Sequence, residues 1–220
     1  MTTRILHSLI LTVLLALLGA DRATAQLAPN CVENSPERRG EIGCSIIVQK
    51  VLPEGIKEPV FWHIDRFGSL EQARAAAGPA GVAFDADGKS WLLTVESQTS
   101  DHHGGSHVAG VGPLPLTRAS RYSIQINSAR FTPGMYSRIH THSGVEGFYV
   151  IEGEQCLQTP TRAVTLRQGE TLLVPANTPM KLVATGTGIR YGLGIILHDA
   201  SKPSTMRMDD ATAPELVACK

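Results

Sequence analysis

From residue 41 to residue 198 the chain alternates short apolar segments of strand character with turns rich in Gly, Pro, Asn and Asp. That pattern predicts an all-β, mainly antiparallel domain. Residues 41–52 (EIGCSIIVQKVL) predict a first strand and residues 60–65 (VFWHID) a second, with loop between them. One short helix interrupts the strands. Ser69 with Gln72 three positions on matches a capping box, residues 71–77 are helix formers, and Gly78-Pro79 ends the segment. Residues 82–85 and 90–96 flank Asp87-Gly88, a strong hairpin signal that places Trp91 for packing. Residues 97–117 lack regular pattern and read as a long loop carrying His102, His103 and His107. The bland reading of that loop is a solvated glycine-rich segment. The functional reading is a second metal site, or one histidine reaching the first site, with His107 the best placed because it leads into the apolar VAGVGPLPL run.

Strand character resumes at residues 121–131 and continues through 147–152, 154–159, 163–167, 181–184 and 189–198. In the segment around 147–152, Glu146, Phe148 and Val150 share one face, while Tyr149 and Ile151 share the other. Both faces are apolar, so the outer one needs a cover, either the N-terminal strands or a second subunit.

The candidate chemistry sits at residues 134–153 (GMYSRIHTHSGVEGFYVIEG). In an extended segment His140 and His142 point to the same side. Tyr136, Ile139 and Thr141 favour a strand, and the Ser143-Gly144-Val145 link is a hairpin loop that returns Glu146 beside the two imidazoles. Two neutral imidazoles and one carboxylate make a 2-His-1-carboxylate set, which leaves coordination positions open and suits non-haem iron(II) or related ions. Tyr149 is expected to point away from the ion.

Gly134, His140, His142, Glu146 and Gly153 fall at the positions of the first motif of the cupin superfamily, which this stretch resembles. The resemblance implies a jelly-roll barrel with a divalent metal ion inside (iron, zinc, copper or manganese), a small-molecule substrate or ligand, and a possible homodimer. Gly169 and Pro175 match the second motif, and Asn177 stands at its later glycine, where a left-handed conformation is tolerated. Met180 occupies the position of the usual third histidine ligand, and Ala184 that of the final Asn. Three readings follow from Met180. The ion is held by His140, His142 and Glu146 alone, with Met180 as pocket wall. Alternatively Met180 ligates a soft ion such as copper. Or the pocket works without metal, or His107 or His198 replaces the missing ligand. His63 and His198, each in an apolar strand, otherwise read as core or hydrogen-bonded histidines. The segments HVAGVGPLPL (107–116) and HSGVEGFYVIEGEQCLQTP (142–160) also resemble a group of exported bacterial single-domain cupins.

The N-terminus predicts export. A short polar start with Arg4 and His7 precedes the apolar residues 9–18, and Ala23-Thr24-Ala25 forms a cleavage site, with cleavage expected after Ala25. The expected location is the periplasm or outside the cell, with no membrane association after cleavage. A lone Arg4 is not a twin-arginine signal, so metal is expected to be acquired after export, where zinc or copper outcompetes iron and manganese. The expected organisation is a signal peptide over 1–25, a polar leader over 26–40, N-terminal strands, helix and histidine loop over 41–119, the barrel over 120–198 and a polar tail over 199–220. The formal net charge of zero gives no pointer to nucleic acid. Export permits disulfides, and of the three pairings open to four cysteines the preferred one is Cys31–Cys44 with Cys156–Cys219.

The function expected is a metal-dependent enzyme of oxygenase, isomerase, decarboxylase or lyase type acting on a small organic molecule. Glu146 serves as ligand and potential general base, and His107 as a further catalytic candidate. The alternative is a non-catalytic periplasmic protein that binds a small molecule or metal, and a third reading is a barrel whose ion only fastens two strands.

Overall fold

The computed structural model describes residues 31–33, 41–99, 101–209 and 211–220. The expected signal peptide and nearly all of the 26–40 leader lie outside the described residues. Fifteen strands are present among the described residues: β1 (Val32–Glu33), β2 (Gly43–Val51), β3 (Phe61–Phe67), β4 (Val82–Ala86), β5 (Lys89–Glu96), β6 (Ser106–Val111), β7 (Tyr122–Phe131), β8 (His140–His142), β9 (Val145–Glu152), β10 (Glu154–Gln158), β11 (Ala163–Arg167), β12 (Thr171–Val174), β13 (Lys181–Thr185), β14 (Arg190–Asp199) and β15 (Thr205–Arg207). One helix, α1 (Leu70–Ala76), follows β3. Its N-cap is Ser69, whose Oγ accepts from the Gln72 amide at 3.2 Å. The Asp87-Gly88 hairpin forms as expected, with both turn residues at positive φ (54° and 63°). Trp91 is buried beneath the turn, its indole N–H donating to the Ala86 carbonyl at 2.9 Å.

A six-stranded sheet in the order β1-β2-β7-β14-β9-β12 is the centre of the fold. Its pairs are antiparallel apart from the short β1–β2 contact. The sheet packs on both faces, and β9 shows how. Val145, Tyr149 and Ile151 join one core cluster with Trp62, Trp91 and Ile126, and with Leu193, Ile195 and Leu197 of β14. Phe148 and Val150 join another with Phe131, Leu157, Met180 and Leu182. The first cluster lies against a four-stranded sheet, β4-β5-β3-β6, built from the N-terminal half. The second lies against the smaller sheets β11-β10-β13 and β15-β8, which close the jelly-roll barrel.

The outer face of β9 is therefore covered by the chain's own N-terminal strands. Gly147 shows how close this packing is, because a Cβ there would collide with the six-membered ring of Trp62. Trp91 and Tyr149 meet edge to face with centroids 6.1 Å apart. Gly153 closes the turn after β9 at a φ of 75°, and a Cβ would come within 2.6 Å of the Ile189 carbonyl oxygen.

Two features depart from the expected pattern. Residues 97–117 are not loop throughout, since β6 pairs with β3 in this segment. As an edge strand containing Gly110, it carries no clean alternation, which hid it. The tail contributes β15, which pairs with β8 in the register Thr205↔His142 and Arg207↔His140. Both expected disulfides, Cys31–Cys44 and Cys156–Cys219, are present. Among the described residues no helix is long and apolar enough to cross a membrane.

Candidate metal centre

β8 is three residues long, and its neighbours hold it extended. On one side β15 pairs with it. On the other, the His140 amide donates to the Met180 carbonyl at 3.1 Å and the Met180 amide donates back to the His140 carbonyl at 2.9 Å. The Asn177 amide donates to the His142 carbonyl at 2.8 Å. Asn177 takes a φ of 60°, the left-handed conformation anticipated for it. With β8 extended, the rings of His140 and His142 lie side by side, centroids 4.9 Å apart and steeply inclined at 81°. Glu146, second residue of β9, joins them. Each of the three offers one ligand atom, and these atoms all lie within 4.8 Å of one another.

The tautomers are set by neighbouring carbonyls. His140 Nδ1 lies 2.8 Å from the Arg138 carbonyl oxygen, and His142 Nδ1 lies 3.0 Å from that of Ser204. A carbonyl only accepts, so Nδ1–H is the donor in each ring and Nε2 keeps its lone pair. His142 Nε2 then lies 3.0 Å from Glu146 Oε2, and both atoms are buried without a hydrogen-bond partner among the described residues. Two buried polar atoms face each other across a gap that takes either a proton or a cation. A cation satisfies both, so these residues fit a divalent ion.

The surroundings act on the two rings in opposite directions. Burial, reinforced by the neighbouring His142, lowers the pKa of His140 below its ordinary value. Burial works the same way on His142, but the Glu146 carboxylate, by its charge and its contact, outweighs it with help from the Ser204 carbonyl and raises that pKa. Gly194 on β14 makes room for the carboxylate, since a Cβ there would lie 2.7 Å from Glu146 Oε1.

The three groups open into a cavity of about 330 Å³ walled by Phe131, Phe148 and Leu182, with Arg138, Arg190 and Arg207 among its polar lining. Arg190 is 1% exposed, and its Nη1 donates to the Ala129 carbonyl at 3.1 Å while its Nε has no partner among the described residues. Burial lowers its pKa to about 10, against the opposing pull of Glu146, so it stays a cation at neutral pH. A larger cleft of about 720 Å³ lies between β2 and the β4–β5 hairpin, and His140, His142 and Glu146 do not line it.

Met180 is fully buried in the core with Phe148 and Leu182 and is not among the residues lining the cavity. His198 is buried on β14, with Nδ1 2.9 Å from the Asp199 carbonyl oxygen, and it too lies outside the cavity lining. His107 is on β6 of the N-terminal sheet, 3.1 Å from Asp65 Oδ1, and does not line the cavity either. Tyr149 faces the N-terminal sheet, away from the metal ligands. His103 pairs with Glu96 at 2.8 Å. Sequence reasoning passed over Arg190, Gly194 and the Ser204–Thr205 support of His142. The glycines of YGLG inside an otherwise apolar strand were a usable signal, because glycine in a strand interior often marks close approach by another group.

Residues 127–190 match the cupin domain family model. That segment, with the jelly-roll fold around it, is similar to cupin domains. Comparison with curated proteins found no match. Among solved structures, a cupin-like protein from Thermotoga maritima is 21% identical, over 40% of this chain and 67% of its own, with a TM-score of 0.37. A cupin superfamily protein from Desulfitobacterium hafniense is 23% identical over 38% of this chain and 73% of its own, with a TM-score of 0.31. An oxalate oxidase in complex with the substrate analogue glycolate is 19% identical over 38% of this chain and 45% of its own, with a TM-score of 0.35.

Proposed function

We propose that this protein is an exported, metal-dependent cupin enzyme that acts on a small organic anion in the barrel cavity. His140, His142 and Glu146 hold the ion. The observation that carries this reading is the buried contact of His142 Nε2 with Glu146 Oε2, opening into a cavity that also holds cationic arginine. A divalent ion held by these residues supplies Lewis acidity to an oxygen-bearing substrate.

The chain's own residues do the rest. Arg190, buried and charged, attracts a carboxylate or enolate and orients it, its guanidinium being suited to planar oxygen pairs. Arg138 and Arg207 add positive charge to the lining. Phe131, Phe148 and Leu182 exclude water from the apolar part of the ligand. Glu146, if released from the ion, is the one carboxylate among the described lining residues that is placed to take a proton.

Two disulfides support a location in an oxidising compartment, periplasmic or extracellular. The apolar outer face of β9 gives no reason for a second subunit, because the N-terminal sheet covers it.

The test is a thermal-shift screen of metal-loaded protein against small acids, phenols and sugars. This reading expects a selective rise in melting temperature with small acids, lost on Arg190→Met, and turnover of the hit. A screen in which only neutral sugars stabilise the protein would overturn it.

A further inference from the structure

The N-terminal sheet carries a second convergence of ligating side chains, on the far side of the central sheet from the barrel cavity. His63 lies on β3, His102 on the short 3-10 turn before β6, and His107 on β6. One nitrogen from each lies within 4.8 Å of the others. Asp65, fully buried on β3 two residues after His63, sits at the base of the group. A register shift in the β3–β6 pairing between Ile64 and Asp65 brings His107 opposite Asp65, while His63 pairs with Gly110. Such an irregularity re-aims side chains on an edge strand.

The hydrogen bonds define which nitrogen each ring offers. His63 Nε2 lies 2.8 Å from the Ser97 carbonyl oxygen and is therefore the donor. That leaves His63 Nδ1 a lone pair, and this atom is buried without a partner among the described residues. Asp65 Oδ1 lies 3.1 Å from His107 Nδ1 and 3.2 Å from His102 Nδ1. One carboxylate oxygen thus faces the Nδ1 side of two rings. His107 holds its Nδ1 proton against that oxygen, so Nε2 is its electron-pair donor, while His102 makes an ion-pair contact with the same oxygen. His63 Nδ1 and His107 Nε2 both lie 3.8 Å from where a Gly110 Cβ would be, so they meet over a residue with no side chain. A carboxylate backing metal-bound imidazoles is the recurrent support of histidine metal sites.

We propose that His63, His102 and His107 form a second metal site, for zinc, with Asp65 orienting the His107 imidazole. Nitrogens around a tetrahedral zinc stand about 3.4 Å apart, so the three rings close on the ion by about 1.4 Å or less. Three neutral imidazoles are a zinc-type ligand set, and the fourth position faces solvent. The side chains of His102 and His107 are 35% and 40% exposed, which gives the ion an entry path. This inference is independent of the barrel site, which shares no ligand with it.

The experiment is to strip the full chain with chelator, reload it with zinc, remove the excess and measure zinc per chain. It is repeated on His140→Ala, which addresses the barrel site, and on the double variant His102→Gln/His107→Gln. Both glutamine positions are partly exposed, and circular dichroism confirms folding. Cobalt(II) loading of His140→Ala gives a second readout, the visible absorption of a tetrahedral nitrogen-rich site. The site predicts one zinc equivalent that survives His140→Ala and is lost in the double variant, together with the cobalt absorption. Zinc content unchanged by the double substitution, or no zinc retained by His140→Ala, would overturn it. In that case His102 and His107 only neutralise Asp65.

Discussion

Gly194 on β14 pairs with Phe148, diagonal to Glu146 on the same face of β9, and a single methyl group at Gly194 would lie 2.7 Å from Glu146 Oε1. The relationship ties a strand glycine to the position of a metal ligand. Gly194→Ala is expected to push the carboxylate off its position while leaving the apolar side of β14 untouched. Metal affinity should fall by about 10- to 100-fold, as for other disruptions of ligand support. Competition titration of zinc against a chromophoric chelator measures this.

His140→Ala removes a ligand that carries no core packing of its own. The barrel is held by apolar clusters on both faces of the central sheet, so the variant should fold, with its barrel-site metal lost. A melting temperature of the metal-free variant within a few degrees of the metal-free parent supports a functional role. Failure to fold would make the ion structural.

Arg190 is a buried cation whose hydrogen bond is to a backbone carbonyl. Arg190→Met keeps its length and apolar contacts, including the neighbourhood of Phe131, whose ring centroid is 5.9 Å from the guanidinium carbon. Exchange of a poorly paired buried charge for an apolar side chain is expected to be close to neutral for stability. Binding of an anionic ligand should weaken by about 1.5–3 kcal/mol, roughly 10- to 150-fold, read by calorimetry.

The Cys156–Cys219 bridge closes a separation of 63 residues and anchors the tail that carries β15. That tail presents the Ser204 carbonyl and Thr205 hydroxyl to His142 Nδ1. A Cys156→Ser/Cys219→Ser variant is expected to lose about 2–4 kcal/mol of stability in denaturant unfolding. It should also bind barrel-site metal more weakly than the parent, because the tautomer of His142 is then less firmly held.

Burial holds the pKa of His198 below its ordinary value of 6.5, outweighing the opposing hydrogen bond to the Asp199 carbonyl. The folded protein therefore excludes a proton that the unfolded chain takes up. The sign follows from linkage: this contribution is fully present above 6.5 and is lost as pH falls toward the folded-state value. His198→Gln should flatten the acid flank of a melting-temperature profile below pH 6.5, with the curve above it unchanged. Metal affinity has its own pH dependence. The raised pKa of His142 means a proton must leave before the ion binds, so apparent affinity should go on rising with pH above 6.5.

Much of this site was legible because its ligands are local. His140, His142 and Glu146 lie within one short stretch, and the two patterns involved, alternation along a strand and return through a short loop, are readable without the fold. The Asp87-Gly88 hairpin and the Ser69 cap were legible for the same reason. Long-range relationships were not. His63 and His107 are brought together by β3–β6 pairing, and β6 lacks alternation because Gly110 and its edge position remove it. The two partners of His142 lie about sixty residues downstream, in a tail whose polar composition hides a strand. Arg190 looked like the ordinary polar start of a strand, since nothing in its neighbours tells that the side chain turns into the cavity.

The central claim is that one ion is shared by His140, His142 and Glu146, and an anomalous-difference map from crystals of the zinc-loaded protein, collected at the zinc edge, tests it most directly. The account predicts a peak about 2.0–2.2 Å from Nε2 of both histidines and from a carboxylate oxygen of Glu146. A map with no peak among these three side chains, while zinc is bound elsewhere on the chain, would contradict it.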